Sequence, residues 1–165
     1  MIRILFVCLG NICRSPSAEG VFRDVLKRDG LEGGGALIDV DSAGTAGWHV
    51  GKPPDSRAIK AAARRGIDIS GYRARQVGRD DFFSFDYLLA MDSMNLEALE
   101  ASRPSKARAK TALFLSYAPD AEVRDVPDPY YGGPQQFDFV LDLLEAGSHG
   151  LLASLRAEHP EHFAA

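Results

Sequence analysis

Two groups near the N-terminus carry the chemistry this sequence offers. They are the thiol of Cys8 and the guanidinium of Arg14, in the segment Val7-Cys8-Leu9-Gly10-Asn11-Ile12-Cys13-Arg14-Ser15-Pro16. An apolar run, Ile2 to Val7, precedes them. A helical pattern follows, with Val21, Phe22, Val25 and Leu26 recurring at helical spacing. Between strand end and helix start the chain must turn tightly, and Gly10 and Asn11 permit the unusual φ values this requires. Such a turn aims backbone N–H groups inward, and the helix start adds unpaired donors and the positive end of its dipole. The expected product is an anion-sized cup with a thiol at its floor, in a field that favours thiolate. A sulfur so placed beneath a bound phosphate is a nucleophile for phosphoryl transfer. The planar fork of Arg14 suits two equatorial phosphate oxygens and the trigonal transition state. A lysine would bring the charge without that geometry, and a cation at a helix start is disfavoured without an anionic partner.

The elements that must position these groups alternate between strand and helix. Ile2 to Val7 reads as a buried parallel strand, and Ser17 to Arg28 as a helix, with Ser15 and Pro16 fitting N-cap and first helical residue. Gly30 to Gly35 is a glycine-rich turn, and Ala36 to Ala43 alternates as a second strand. Gly44 to Pro54 is a loop containing Trp48. Asp55 to Arg65 is a helix capped by Asp55 or Ser56 and stopped by Gly66. Asp80 to Ser84 is a short helical turn and Phe85 to Met91 a third strand. Ser93 to Ala101 is a helix and Lys110 to Leu115 a fourth strand. Pro119 to Gly133 is a loop bearing prolines and tyrosines, and a last helix starts at Pro134, reaching Ala146 or continuing past Gly147 to Glu158. This alternation implies an α/β fold with a parallel sheet covered on both faces. Ligands of such sheets bind outside the carboxyl ends of the strands, where Cys8 sits.

The stretch Phe6 to Glu19 resembles the signature of the low-molecular-weight protein tyrosine phosphatases. Asp41-Ser42-Ala43-Gly44-Thr45 and Asp128-Pro129-Tyr130-Tyr131-Gly132 match the same family, in order and with similar spacing. The resemblance spans essentially residues 1–165, read as a single domain. It implies a three-layer sandwich around a four-stranded parallel sheet of flavodoxin-like type, with the phosphate-binding loop after the first strand. It also implies hydrolysis of protein phosphotyrosine and aryl phosphates through a phosphocysteine.

The site residues follow. Cys8 is the expected nucleophile and Arg14 the transition-state clamp, in a loop of Leu9, Gly10, Asn11, Ile12, Cys13 and Ser15. Leu9 and Ile12 add apolar contact at the mouth. Asp-Pro alone is a common turn dipeptide. Beside the Cys-x5-Arg loop, and by resemblance, Asp128 becomes the general acid and later the base for water. Pro127 and Pro129 stiffen its loop. Trp48, Tyr130 and Tyr131 are expected walls of a flat slot that favours a phosphorylated tyrosine over serine by reach and stacking. Ser15 either caps the helix or hydrogen-bonds the Cys8 sulfur; the sequence leaves both open. Asn11 needs a partner to hold its left-handed conformation. By resemblance Ser42 and a histidine supply it, but this chain carries Tyr72 in the run where that histidine is expected. Cys13, in the same curled loop, is an expected redox partner for Cys8.

Composition narrows the alternatives. With 165 residues, 45% of them hydrophobic, the chain suits one domain with a real core. A net charge of −4 gives no electrostatic case for nucleic acid or an anionic membrane surface. No apolar run approaches a membrane span, and the N-terminus does not read as a secretory signal. Two cysteines in one loop suggest reduced thiols and a cytoplasmic setting. The four histidines lack metal-ligand spacing, so no metal or cofactor is expected. The expected partners are a phosphotyrosine-containing protein substrate and inorganic phosphate or vanadate as competing anions. Arsenate reduction on the same fold would need cysteines outside the loop, and this chain has none. Relatives acting on phosphoarginine typically carry threonine where Ile12 stands and have less aromatic bulk in the acid loop. A non-catalytic phosphate-binding module would be favoured by loss of Cys8, Arg14 or Asp128. A nucleotide-binding domain lacks its glycine fingerprints here.

Overall fold

Strand β1 (Ile2–Cys8) is the centre of the fold, and its side-chain alternation decides what covers it. Ile2, Ile4, Phe6 and Cys8 face one hydrophobic cluster, whereas Leu5 and Val7 face another. The computed structural model describes residues 1–31 and 37–163. Around β1 lie β2 (Ile38–Gly44), β3 (Tyr87–Ala90) and β4 (Lys110–Leu113), in the order β2-β1-β3-β4. Every pairing is parallel, from Ile2 opposite Ile38 through Ile4 opposite Tyr87 to Tyr87 opposite Lys110. The sheet is thus the four-stranded parallel one expected, and all carboxyl ends lie along one edge.

The helices are α1 (Arg14–Arg28), α2 (Ser56–Ala63), α3 (Asp81–Ser84), α4 (Ser93–Ser102) and α5 (Pro134–Glu158). Phe22 of α1 and Leu144 and Leu151 of α5 share the cluster of Ile4 and Phe6; Phe82 of α3 and Leu99 of α4 share that of Leu5 and Val7. Helices therefore cover both faces, giving three layers. Phe6 anchors the larger core, meeting Phe22 and Phe114 edge-on at centroid distances of 5.9 and 5.5 Å.

Several boundaries differ from the sequence expectation. Helix α1 begins at Arg14, with Cys13 as its N-cap and no side-chain cap bond, so Ser15 lies inside the first turn. Ser15 resembles a cap by type, but its hydroxyl is turned toward Cys8 instead. Strand β4 stops at Leu113, because the chain tightens into a 3₁₀ turn at Phe114–Tyr117. Strand β3 is shorter than Phe85 to Met91. Helix α2 is capped by the Asp55 carboxylate, which accepts from the Arg57 amide. Helix α5 does continue through Gly147 to Glu158. A Cβ at Gly147 would strike the Phe114 ring, and one at Gly150 the Tyr117 carbonyl, so these glycines let α5 ride over the 3₁₀ turn. Of the glycine-rich turn, Gly30 follows α1 with φ 71°. Most of that turn, and the expected strand start at Ala36, lie outside the described residues.

Candidate active site

The loop between β1 and α1 is held by its carbonyls. The Cys8 and Leu9 carbonyls accept from the amides of Thr45 and Ala46, at 2.9 Å each, and the Ile12 carbonyl accepts from the Asp55 amide at 2.7 Å. With these oxygens bonded to the surroundings, the loop's N–H groups are left to the inside. The Asn11 amide donates to Cys8 Sγ at 3.3 Å. Gly44 ends β2 so close to the loop that a Cβ there would lie 2.7 Å from the Leu9 carbonyl oxygen. Glycine is the side chain that permits this approach.

Asn11 takes the left-handed conformation expected of it, with φ 57°. Its side chain is held on three sides. Nδ2 donates to Ser15 Oγ at 2.7 Å and to Ser42 Oγ at 3.0 Å, and Oδ1 accepts from the Arg75 amide at 3.0 Å. The Arg75 N–H can only donate, which fixes the direction of the amide. Ser15 Oγ lies 3.0 Å from Cys8 Sγ. Since Ser15 accepts from Asn11, its one proton can be directed to the sulfur, the nearer partner, or to the Ala43 carbonyl at 3.4 Å. Ser42 also accepts from Asn11 and donates to Glu19 Oε1 at 2.9 Å, and Arg23 Nε pairs with Glu19 Oε2 at 3.0 Å. A buried polar chain thus runs from Cys8 through Ser15, Asn11 and Ser42 to Glu19.

Tyr72 does not take the histidine's expected place beside Asn11. It lies beyond Glu19, near Arg23, where burial pushes its phenol up to about 12, aided by the Glu19 charge and opposed by Arg23. The backbone of Arg75 does the task foreseen for it. Arg75 is anchored by ion pairs to Asp41 and Asp81, each at 3.0 Å. Neither Glu19 nor Arg75 was anticipated from sequence. Glu19 is one helical turn past Ser15 on the face that α1 buries, and a buried carboxylate there is itself a signal of a polar partner.

Above the loop opens a cavity of about 230 Å³. Cys8, Arg14 and Asp128 border it together with Leu9, Ile12 and Cys13. Trp48, Tyr130 and Tyr131 form the rim with His49, which sequence reasoning did not single out. Trp48 is 70% and Tyr131 95% exposed, so they stand at the mouth of the cavity and are not core residues. Asn11, Ser15 and Ser42 stand behind the floor, as their hydrogen bonds require. Tyr130 and Tyr131 meet edge-on, 4.9 Å apart.

Arg14 is buried and held at both ends of its fork. Nη1 pairs with Asp92 Oδ2 at 2.5 Å and donates to the Val126 carbonyl at 3.1 Å; Nη2 lies 3.7 Å from Asp128 Oδ2. Burial works against its charge, but the Cys8 sulfur, Asp92 and Asp128 outweigh it, and its pKa is raised. Asp92 is a further residue missed from sequence; its position just past the end of β3 was the available signal. Its other oxygen caps α4 through the Asn95 amide at 2.7 Å. Asp128 is half exposed, and its Oδ1 accepts from the Tyr130 amide at 3.1 Å. Burial pushes the Cys13 thiol up to about 12, with Asp55, Cys8 and Asp128 adding to the effect.

This arrangement places a sulfur under converging donors, a fixed guanidinium and an accessible carboxylate in one cleft. The chain as a whole is similar to known proteins. The family described as low molecular weight phosphotyrosine protein phosphatase matches residues 3–161. The chain is 46% identical over 158 residues to the low molecular weight protein-tyrosine-phosphatase YfkJ of Bacillus subtilis, covering 96% of this chain and 98% of that relative. It is 42% identical over 139 residues to the low molecular weight phosphotyrosine protein phosphatase of Homo sapiens, covering 83% and 85%. In three dimensions it is similar to the crystal structure of a protein tyrosine phosphatase from Entamoeba histolytica with Hepes in the active site. The TM-score is 0.90 at 37% identity, covering 96% of this chain and 99% of that one. With the match running nearly end to end, the chain belongs to the low molecular weight phosphotyrosine protein phosphatase family.

Proposed function

We propose that this chain hydrolyses protein phosphotyrosine and aryl phosphates in two steps at the Cys8 loop. The phosphate enters the cup with its ring between Trp48, Tyr130 and Tyr131. Cys8 Sγ attacks phosphorus opposite the phenol oxygen. As the P–O bond breaks, Asp128 gives its proton to the leaving phenolate. Arg14 and the inward loop amides hold the equatorial oxygens, and hold them better when the group becomes trigonal. The resulting S-phosphocysteine is then attacked by water. Asp128 takes the water proton, the S–P bond breaks, and Ser15 donates to the departing sulfur. Phosphate or vanadate compete for the same cup. Arg14 and the amides supply the positive charge of the reaction, so no metal or other cofactor is required.

The observation that carries this reading is the joint setting of Cys8 Sγ, with donors at 3.0 and 3.3 Å, and Arg14, with Asp128 3.7 Å from its guanidinium. The test is the leaving-group dependence of Asp128→Asn. It should slow phosphotyrosine far more than aryl phosphates whose phenols leave without a proton. Equal slowing of both would remove Asp128 from the acid role.

The setting is proposed to be the cytoplasm, the whole chain working as one domain. No described helix is long and apolar enough to cross a membrane. Peroxide regulation also belongs to the proposal. Peroxide would oxidise Cys8 to the sulfenic acid, and Cys13 sulfur would then displace hydroxide, which leaves as water with the Cys13 proton as the S–S bond forms. Cys13→Ser should keep catalysis but recover poorly with thiol reductants after peroxide.

A further inference from the structure

A second cleft of about 230 Å³ opens beside the catalytic mouth, between α2 and the start of α5. Arg57, Lys60 and Arg64 line one side of it, and Pro134 and Phe137 line the other. The three cations recur three and four positions apart, so they stand in a row along one face of α2. Seven residues of helix make that row about 10 Å long, the reach of about three residues of extended peptide. All three side chains are exposed. Arg57 is tied to Asp55 at 2.9 Å, but among the described residues no carboxylate lies within ion-pair distance of Lys60 or Arg64. No acidic side chain lines the cleft. With Arg57 balanced by Asp55, Lys60 and Arg64 are the two cations that the cleft offers an acidic ligand, on a chain whose net charge is −4.

The cleft is joined to the aromatic slot. The Arg57 guanidinium lies 5.3 Å from the centroid of Tyr130, which rims the catalytic cavity, and 4.9 Å from that of Phe137, which floors the second cleft. A peptide whose phosphotyrosine stands against Tyr130 therefore has one direction along which its next residues meet cations over an apolar floor.

We propose that this cleft is a specificity subsite for acidic residues flanking the phosphotyrosine, with Lys60 and Arg64 as its determinants. The proposal rests on the phosphotyrosine reading of the catalytic site. Carboxylates of an extended peptide would pair with the two unpartnered cations while their methylene groups pack on the exposed Pro134. Exposed pairs of this kind act on encounter and KM and are screened by salt.

The test uses phosphotyrosine peptides carrying Glu, or Gln at the same positions, on the N-terminal or the C-terminal side of the phosphotyrosine. For wild type, kcat/KM should be about three- to ten-fold higher for the Glu peptide on one side, carried by KM and shrinking in 0.5 M salt. Lys60→Glu/Arg64→Glu should abolish or reverse this preference and leave turnover of free phosphotyrosine unchanged. Lys60→Gln/Arg64→Gln provides a second, milder comparison that should abolish it. Equal turnover of Glu and Gln peptides by wild type would overturn the proposal, as would a preference that survives both double variants. Failure of wild type to hydrolyse free phosphotyrosine would instead strike the catalytic reading beneath it.

Discussion

Arg14 Nη1 meets Asp92 Oδ2 at 2.5 Å, and the same carboxylate caps α4 with its other oxygen. One acid at the end of β3 thus ties Arg14, at the head of α1, to the start of a helix on the opposite face of the sheet. Arg14 is 78 positions away in sequence, so this bond is a product of the fold. It also explains how a buried guanidinium can stand at a helix N-terminus, against the helix dipole: the anion that balances it comes from another element.

Asp92→Asn separates the two tasks of that residue. The amide oxygen can still accept from the Asn95 amide, so the cap on α4 is kept. The charged hold on Arg14 is lost, and a hydrogen bond between charged groups contributes roughly 1.5–3 kcal/mol. Steady-state assay should show kcat reduced about 10- to 100-fold, with KM changed much less. A variant with wild-type kcat would mean that the loop alone orients Arg14.

Glu19 makes the buried polar chain sensitive to pH. Burial outweighs the pull of Arg23 and the Ser42 hydroxyl, so its pKa in the folded protein is raised above the ordinary 4.5. A raised folded value means that the stabilising contribution is present below pH 4.5 and is lost as pH rises through the folded pKa. Glu19→Gln stays neutral and escapes that loss. The melting temperature of the variant relative to wild type should therefore climb as pH is taken from 4.5 toward neutrality. A difference that stays flat or falls over that window would show that the Arg23 pairing dominates.

The two cysteines of the loop should react unequally. Cys13 is pushed up to about 12 by burial and by the negative neighbours Asp55 and Asp128, so it stays a thiol at neutral pH. Cys8 instead faces the Asn11 amide, Ser15 and the Arg14 charge. Iodoacetate, itself an anion, should carboxymethylate Cys8 and spare Cys13, and phosphate should protect Cys8. Peptide mapping by mass spectrometry reads the outcome. Labelling of Cys13 first, or labelling indifferent to phosphate, would contradict the picture of an anion cup.

What could be read from the sequence was what is local along it. Cys8, Asn11 and Arg14 fall within one turn between a strand and a helix, and turn geometry constrains them without knowledge of the remaining chain. Strand–helix alternation likewise identifies a parallel sheet. The partners of that loop come from elsewhere in the chain: Asp92 after β3, Arg75 after α2, Ser42 at the end of β2. No periodicity reports which of many acids or arginines will converge. Ser15 shows the opposite difficulty. Its residue type fits a helix cap, and only the curl of the loop, which starts α1 at Arg14, turns its hydroxyl to the sulfur. Tyr72 was placed by its position in a run, whereas the neighbouring Arg75 backbone had the reach to Asn11.

The central claim is that phosphate passes through a covalent bond to Cys8, and one measurement addresses it directly. Wild-type protein mixed with a phosphotyrosine peptide is quenched in acid within the first turnover, digested and mapped by mass spectrometry. The phosphoryl group should appear on the peptide Val7-Cys8-Leu9-Gly10-Asn11-Ile12-Cys13-Arg14, fragmentation should place it on Cys8, and Asp128→Ala should make it persist longer with water as the acceptor. Full turnover with no phosphoryl group on Cys8 at any quench time, or with the group on another residue, would contradict the account.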